Sequence, residues 1–239
     1  MEYKIEHVGK EFSNLKVLED ISFTIPKGYV TCILGPSGCG KSTLLNIISG
    51  TIKDYEGEVK GLQKEKISFV FQEPRLIKWN TLWDNIDFVL KDKLDIKDRK
   101  NIIQHYLNQV DMLDFKDYYP DFISGGMQQK VSIARAFAYS SEVLLMDEPF
   151  KSLDIASKEN IINTLASIID KEKRTSILVT HDIEEAVLLG DYIVIFTNKP
   201  TKVKKILENP IKSVSFRRKE KLIMEDFAKE IKSYLLGGE

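Results

Sequence analysis

The chain has 239 residues, 43% hydrophobic and 30% charged, which suits one globular unit or two closely joined lobes. Thirty-five basic residues against thirty-six acidic ones give a net charge of -1, so there is no electrostatic footprint for nucleic acid or for an anionic membrane surface. No apolar run approaches the roughly 20 residues needed to span a bilayer, and the opening Met1-Glu2-Tyr3-Lys4-Ile5-Glu6 lacks the basic-then-apolar order of a signal peptide.

From Tyr3 to Val8 and from Ile21 to Ile25 the pattern is strand-like, with a turn at Asn14-Leu15-Lys16 between them and the corner Pro26-Lys27-Gly28 after them. Phe12 is expected in the loop between these strands, where an aromatic fits either a platform that stacks on adenine or an ordinary packing residue. Tyr29-Val30-Thr31-Cys32-Ile33-Leu34 is short, apolar and β-branched, and reads as a buried strand. It runs directly into Gly35-Pro36-Ser37-Gly38-Cys39-Gly40-Lys41-Ser42-Thr43, which fits G-x-x-x-x-G-K-[ST], and then into the apolar helix start Leu44-Leu45-Asn46-Ile47-Ile48. A helix start offers unpaired backbone N–H groups and the positive end of its dipole to an anion. Gly38 and Gly40 let the backbone curl around a phosphate without a Cβ in the way. Lys41 can then reach β- and γ-phosphate oxygens, and the Ser42 hydroxyl can ligate Mg²⁺. Nucleotide binding is the expectation. Cys32 and Cys39 both fall in this stretch, too near the phosphate site for a disulfide framework and without a CxxC neighbour, which points away from zinc and toward a reducing cytosol.

Beyond Gly50, Glu56-Gly57-Glu58-Val59 starts a small strand pair, and Ile67 to Phe71 is a strand ending in Gln72-Glu73-Pro74. The texture then turns helical. Thr81 to Leu90 carries Leu82, Ile86, Val89 and Leu90 on one side with Thr81 as cap, Lys91 to Arg99 is a charged connection, and Asp98 to Val110 is a second amphipathic helix. After a break at Tyr118-Tyr119-Pro120-Asp121, Ile123 to Ala138 reads as a helix capped by Ser124, with Gly125 and Gly126 leaving the backbone bare. Such a start is a second anion site in physical terms, although Ser-Gly-Gly by itself fits an ordinary capped helix as well.

Glu142 to Met146 is an apolar strand ending in Asp147-Glu148-Pro149. Downstream of a phosphate loop, two carboxylates at a buried strand's end have distinct uses. Asp147 can hold Mg²⁺ through water, and Glu148 can act as general base on an attacking water. Ser152-Leu153-Asp154 leads into a helix from Ile155 to Lys171, and Thr175 to Thr180 is another strand, ending in His181. A histidine at a strand's carboxyl end stands where open α/β sheets bind ligands. A helix from Ile183 to Leu189, a strand from Tyr192 to Phe196 and an amphipathic helix from Glu220 to Leu236 complete the pattern. The last helix is expected to pack through Leu222, Ile223, Phe227, Ile231 and Leu235.

The order of these motifs resembles the ATP-binding subunit of ABC transporters over essentially the whole chain. Walker A is Gly35–Thr43, the Q-loop is Gln72, the signature is Ile123–Met127, Walker B ends in Asp147-Glu148, the D-loop is Ser152–Asp154 and the switch histidine is His181. The segment from Phe71 to Ile86 further resembles importer ATPases for nitrate, sulfonates and taurine, although Met127, Lys130, Ile123 and Ile77-Lys78 stand where relatives commonly carry Gln, Arg, Leu and Leu-Pro. The resemblance implies an α/β fold with a P-loop NTPase (RecA-like) core of mainly parallel sheet, an N-terminal antiparallel β subdomain and an inserted α-helical subdomain. Core segments would be residues 1–78 and 141–215, the helical subdomain 79–140 and the C-terminal helix 216–239. It also implies ATP and Mg²⁺ as ligands, with Ser42, Gln72 and Asp147 serving the metal, Glu148 as base and His181 holding the γ-phosphate.

Gly35 through Thr43 would bind one face of the nucleotide, while Ser124, Gly125, Gly126 and Asp154 of a second, head-to-tail copy would bind the other. A transmembrane permease, indirectly a solute-binding protein, and a peripheral place on the cytoplasmic face of the membrane follow from the same likeness; nucleic acid does not. The alternative is an ABC-type ATPase of translation or DNA repair, but the chain has neither a second ATPase unit, nor a coiled-coil insertion, nor a basic face.

Overall fold

The computed structural model describes residues 2–63, 66–151 and 153–237. These fall into two compact units, Met1–Ile67 with Ala166–Glu239, and Ser68–Leu165.

The first unit opens with two long strands, β1 (Glu2–Phe12) and β2 (Leu15–Pro26), paired antiparallel from Glu2↔Pro26 to Phe12↔Leu15. The expected loop contracts to Ser13 and Asn14, both with positive φ. Phe12 therefore ends β1 instead of lying in a loop. The strands looked shorter in the sequence because register shifts between Ile5 and Val8, and again between Val8 and Lys10, break the period-two alternation. β3 (Val30–Leu34) is buried at every position and leads into α1 (Lys41–Ile48). In place of the expected strand pair, β4 (Glu56–Lys60) is one strand added to the free side of β1, giving the order β2-β1-β4. A Cβ at Gly57 would stand 2.2 Å from the His7 carbonyl oxygen, so only glycine allows β4 to approach.

The second unit holds β5 (Ile67–Val70), α2 (Leu82–Leu90), α3 (Ile96–Gln109), α4 (Gly125–Ala138) and β6 (Val143–Asp147), and the chain leaves it along α5 (Ile155–Glu172). Each of the three middle helices is capped. The Thr81 hydroxyl accepts the Asp84 N–H at 3.0 Å, Asp95 accepts that of Asp98 at 2.9 Å, and Ser124 accepts that of Met127 at 3.3 Å. The Asp95 cap starts α3 earlier than the charged run suggests. Their inner faces meet in a core that includes Ile86, Leu90, Ile103, Leu107, Val131 and Ala134. Each large aliphatic member contributes about 1.5–3 kcal/mol by leaving water.

Back in the first unit come β7 (Thr175–Thr180), α6 (Ile183–Leu189), β8 (Tyr192–Phe196), β9 (Val203–Glu208), the short α7 (Val214–Arg217) and α8 (Lys221–Leu235). Strand β3 lies between β7 and β8 and is parallel to both, with Leu34 opposite Thr180 on one side and Ile195 on the other. β9 adds antiparallel to β8. It is unexpected from the sequence, because only Leu207 of its six residues is buried and its exposed lysines mask the alternation. In α8 the buried residues are Met224, Phe227 and Ile231, whereas Leu222 is 77% exposed, which corrects the expected stripe. Among the described residues no helix is long and apolar enough to cross a membrane.

Candidate functional site

The glycine loop hangs from β3, a strand with neighbours on both edges. Gly35 is buried, whereas Ser37 and Gly38 are exposed at the loop's crest. Gly38 (φ +76°) has nothing within 4 Å of where a Cβ would be, so its backbone faces open space. Gly40 caps α1 with φ +116°, and a Cβ there would stand 2.8 Å from Val17 Cγ1 and 3.0 Å from Leu18 Cδ2. The loop is held from outside as well: Thr201 donates its hydroxyl hydrogen to the Cys39 carbonyl and its N–H to Val17 O at 3.0 Å.

Lys41 is 4% exposed, with its ammonium turned into the loop, donating to Gly35 O at 2.9 Å and Pro36 O at 2.8 Å. A buried cation satisfied by two neutral carbonyls suits an incoming anion better than one held by a carboxylate. Ser42 is exposed and Thr43 half-buried in the first turn of α1. Cys39 and Cys32 are both free. Burial pushes the Cys39 thiol up against the opposing charge of Lys41, and pushes the Cys32 thiol much further.

His181 follows β7. Because Leu34 and Thr180 are register partners, Gly35 and His181 leave neighbouring strand ends on the carboxyl edge of the parallel strands. The turn that carries the exposed His181 is fixed on both sides. Thr180 donates its hydroxyl hydrogen to Glu185 and accepts the Asp182 N–H at 3.0 Å, and the Asp182 carboxylate accepts the N–H of Glu184 at 2.8 Å. Phe12 is 44% exposed at the end of β1, with the Lys10 ammonium 4.8 Å from its ring centre.

The second unit carries the remaining candidates. Gln72 is exposed just past β5. Ser124 and Gly125 are exposed at the start of α4, and nothing lies within 4 Å of a Cβ placed on Gly125. A Cβ on Gly126 would meet Leu153 Cδ2 at 3.4 Å. Asp147, half-buried, ends β6, and Glu148 is 8% exposed with φ +44°. A left-handed glutamate costs on the order of 1–3 kcal/mol, the kind of backbone outlier that gathers at active sites. The Lys151 ammonium stands 2.9 Å from Glu148 Oε2. Asp154 caps α5, accepting the Ser157 N–H at 3.0 Å, and the Ser157 hydroxyl and N–H together hold its carboxyl below the usual carboxylate range. Ser152 lies outside the described residues.

Among the described residues no cluster of three or more His, Cys, Asp or Glu could hold a metal. The residues expected to serve a metal, Ser42 in the first unit and Gln72 and Asp147 in the second, each offer a hard oxygen donor. Oxygens of this kind suit Mg²⁺, which keeps one or two protein ligands and takes phosphate oxygens and water for the rest.

In each unit, residues that hold the candidate segments carry no signature in the sequence. Thr201 and Lys151 are far from, or offset from, any motif. Gln129 is a polar side chain 1% exposed within the inner face of α4, and its amide donates to Phe71 O at 3.2 Å and to Pro149 O at 2.8 Å. A buried glutamine on a helix has no periodic signal of its own.

Comparison with known proteins agrees with this geometry. The profile described as ABC transporter matches residues 18–151. An aliphatic sulfonates import ATP-binding protein of Bacillus cereus is 41% identical, covering 95% of this chain and 96% of that protein. An uncharacterized ABC transporter ATP-binding protein of Methanocaldococcus jannaschii is 37% identical over 93% of this chain and 91% of its own length. The dimeric structure of a bacterial ABC transporter cassette superposes with a TM-score of 0.78 at 30% identity, covering 87% of this chain and 99% of that one. With a glycine loop between β3 and α1 and this likeness along nearly its whole length, the chain belongs to the ABC transporter family, as one of its ATPase cassettes.

Proposed function

We propose that this chain powers solute import by closing on ATP as a head-to-tail pair and reopening after hydrolysis, with a transmembrane permease converting the movement into transport. The observation that carries the reading is the phosphate loop between β3 and α1, with His181 on the next strand end, in a chain 41% identical to an import ATP-binding protein. Support for pairing comes from a solved relative that is a dimer, also known in a post-hydrolysis state bound to ADP and Pi. It comes too from this chain's own two bare helix starts, at Gly40 and Ser124. Exposed aromatics on the helical unit, Trp79 (81%), Phe122 (76%) and Phe88 (62%), offer apolar surface for a membrane partner at the cytoplasmic face.

In this reading the amides of Gly35 to Thr43 and the Lys41 ammonium hold the phosphates, Phe12 offers its open face to adenine, and Ser42, Gln72 and Asp147 serve the metal. Bound Mg²⁺ supplies charge neutralisation at the phosphate oxygens. Glu148 takes the proton of the water that attacks the γ-phosphorus as the bond to ADP breaks. His181 orients that water and the γ-phosphate. Ser124, Gly125, Gly126 and Asp154 of the second copy close over the nucleotide, so ATP favours the closed pair through its higher affinity for it. The solute is selected by the permease and its solute-binding protein, not by this chain.

The test is Glu148→Gln with ATP and Mg²⁺. Turnover falls by about 10²–10⁴, and sedimentation shows mass doubling that depends on ATP. A variant that binds ATP yet sediments as a monomer at every concentration would refute the pairing.

A further inference from the structure

We propose that Gln129 is a positioning residue for ATP hydrolysis, tying the backbone beside Gln72 to the backbone beside Glu148. The inference rests on the assignment of Glu148 as base. A single side-chain nitrogen, Nε2, gives one hydrogen to the carbonyl of Phe71, the residue before Gln72, and the other to the carbonyl of Pro149, the residue after Glu148. Both amide hydrogens of the glutamine are thereby used on loop backbone. Its oxygen Oε1 is buried with no hydrogen-bond partner among the described residues.

The neighbourhood says what those donors hold. Gln129 stands in the second turn of α4, the helix whose first residues are the bare Ser124-Gly125-Gly126 start. Its amide meets the Glu148 turn at the point where the backbone is strained: Glu148 has φ +44°, and its carbonyl accepts the Lys151 N–H at 3.2 Å. On the other side, Arg135 of the same helix grips Pro74 O at 2.9 Å and Arg75 O at 3.0 Å, so the segment after Gln72 also moves with α4. A shift of α4, or of the Gln72 segment, is therefore passed to the peptide that aims the Glu148 carboxylate. Without the Nε2 bridge the Glu148 turn keeps its residues but loses this tie to α4. Orientation of a general base is worth far more in rate than in affinity.

The experiment compares the parent chain with Gln129→Met, Glu148→Gln and the double variant, measuring kcat for ATP hydrolysis and the Kd of a fluorescent ATP analogue. Gln129→Met fills the same space without donors. Its kcat is expected to fall about tenfold or more with Kd within a factor of about two, since the lost geometry acts on the reacting water and not on ground-state binding. In the Glu148→Gln background the same change is expected to leave the residual rate unaltered, because a brace for a base has nothing to do once the base is gone. A parental kcat in Gln129→Met overturns the proposal, and so does an equal drop in both backgrounds, the signature of a merely structural role. A parental rate in Glu148→Gln alone overturns the base assignment and the brace with it. Should Gln129→Met fail to fold, Gln129→Asn, which keeps the amide one methylene short, enters the same cycle with the same expected and overturning results.

Discussion

Asp191 is the junction on which the phosphate-loop strand rests, and Asp191→Ala measures what that junction is worth. Its Oδ2 accepts the N–H of Val30, the first residue of β3, at 2.8 Å, and its own N–H donates back to Val30 O at 2.8 Å. Its carbonyl accepts the Asn209 N–H at 2.8 Å just past β9, and Oδ1 pairs with Arg217. The Arg217 guanidinium is fully enclosed, and Nε and Nη1 donate to Ile211 O at 2.8 Å and Leu188 O at 3.0 Å. Burial already pulls the Arg217 pKa below its ordinary value, with Asp191 opposing the fall. Removing the carboxylate leaves a buried cation with backbone carbonyls and only the weaker charge interaction with Asp170, and strips the Val30 N–H of its side-chain acceptor, a loss of about 3–5 kcal/mol. For a chain of this size each kcal/mol lowers Tm by roughly 2–4 °C, so a fall of about 6–20 °C is expected by circular dichroism or calorimetry. The double variant Asp191→Ala with Arg217→Met removes the stranded charge and should be clearly more stable than the sum of the two single losses. A Tm shift under about 2 °C for Asp191→Ala, or strict additivity in the double variant, would refute the reasoning.

Lys41→Ala should weaken ATP binding about 10–100-fold through the loss of charge-assisted hydrogen bonds, read by titration with a fluorescent nucleotide. Unchanged affinity would remove Lys41 from the phosphate site. Gly40→Ala forces a side chain into a φ of +116° with Val17 Cγ1 at 2.8 Å, and the stiff valine yields poorly. About 2–4 kcal/mol of stability should be lost, seen as a lower urea midpoint at unchanged slope. The Asp154 carboxyl is held below its ordinary pKa, so its stabilisation is complete above the ordinary carboxylate value and fades as pH falls through the lowered one. Asp154→Ala should therefore lower Tm at neutral pH and flatten its acid dependence. Parallel acid limbs in variant and parent would show that the cap does not titrate with folding.

Where chemistry demands a particular residue at a particular spacing, the sequence was readable. The loop from Gly35 to Thr43, the helix start at Ser124, Asp147-Glu148 at a strand's end and His181 after β7 all sit on the elements their neighbours imply. The α2 and α4 caps, Thr81 and Ser124, were legible for the same reason: a hydroxyl accepting a third-residue N–H is a local interaction. Features set by distant partners were not. Bulges that interrupt the alternation of β1 and β2 hide the length of their hairpin, and β9 leaves little pattern because it is an edge strand with one buried side chain. Gln129, Thr201 and Arg217 act through backbone carbonyls far along the chain, and no local pattern marks a residue chosen for what it meets 20 or more positions away.

The central place of β3 also governs the order of events during synthesis. Its two flanking strands, β7 and β8, begin at Thr175 and Tyr192, long after Val30–Leu34 has left the ribosome. At roughly 5–20 residues per second the apolar β3 segment waits on the order of ten seconds for both partners. Until then the glycine loop hangs from a strand that lacks both of its neighbours. The apolar, unpaired segment from Val30 to Leu34 is the stretch a chaperone would be expected to shield meanwhile.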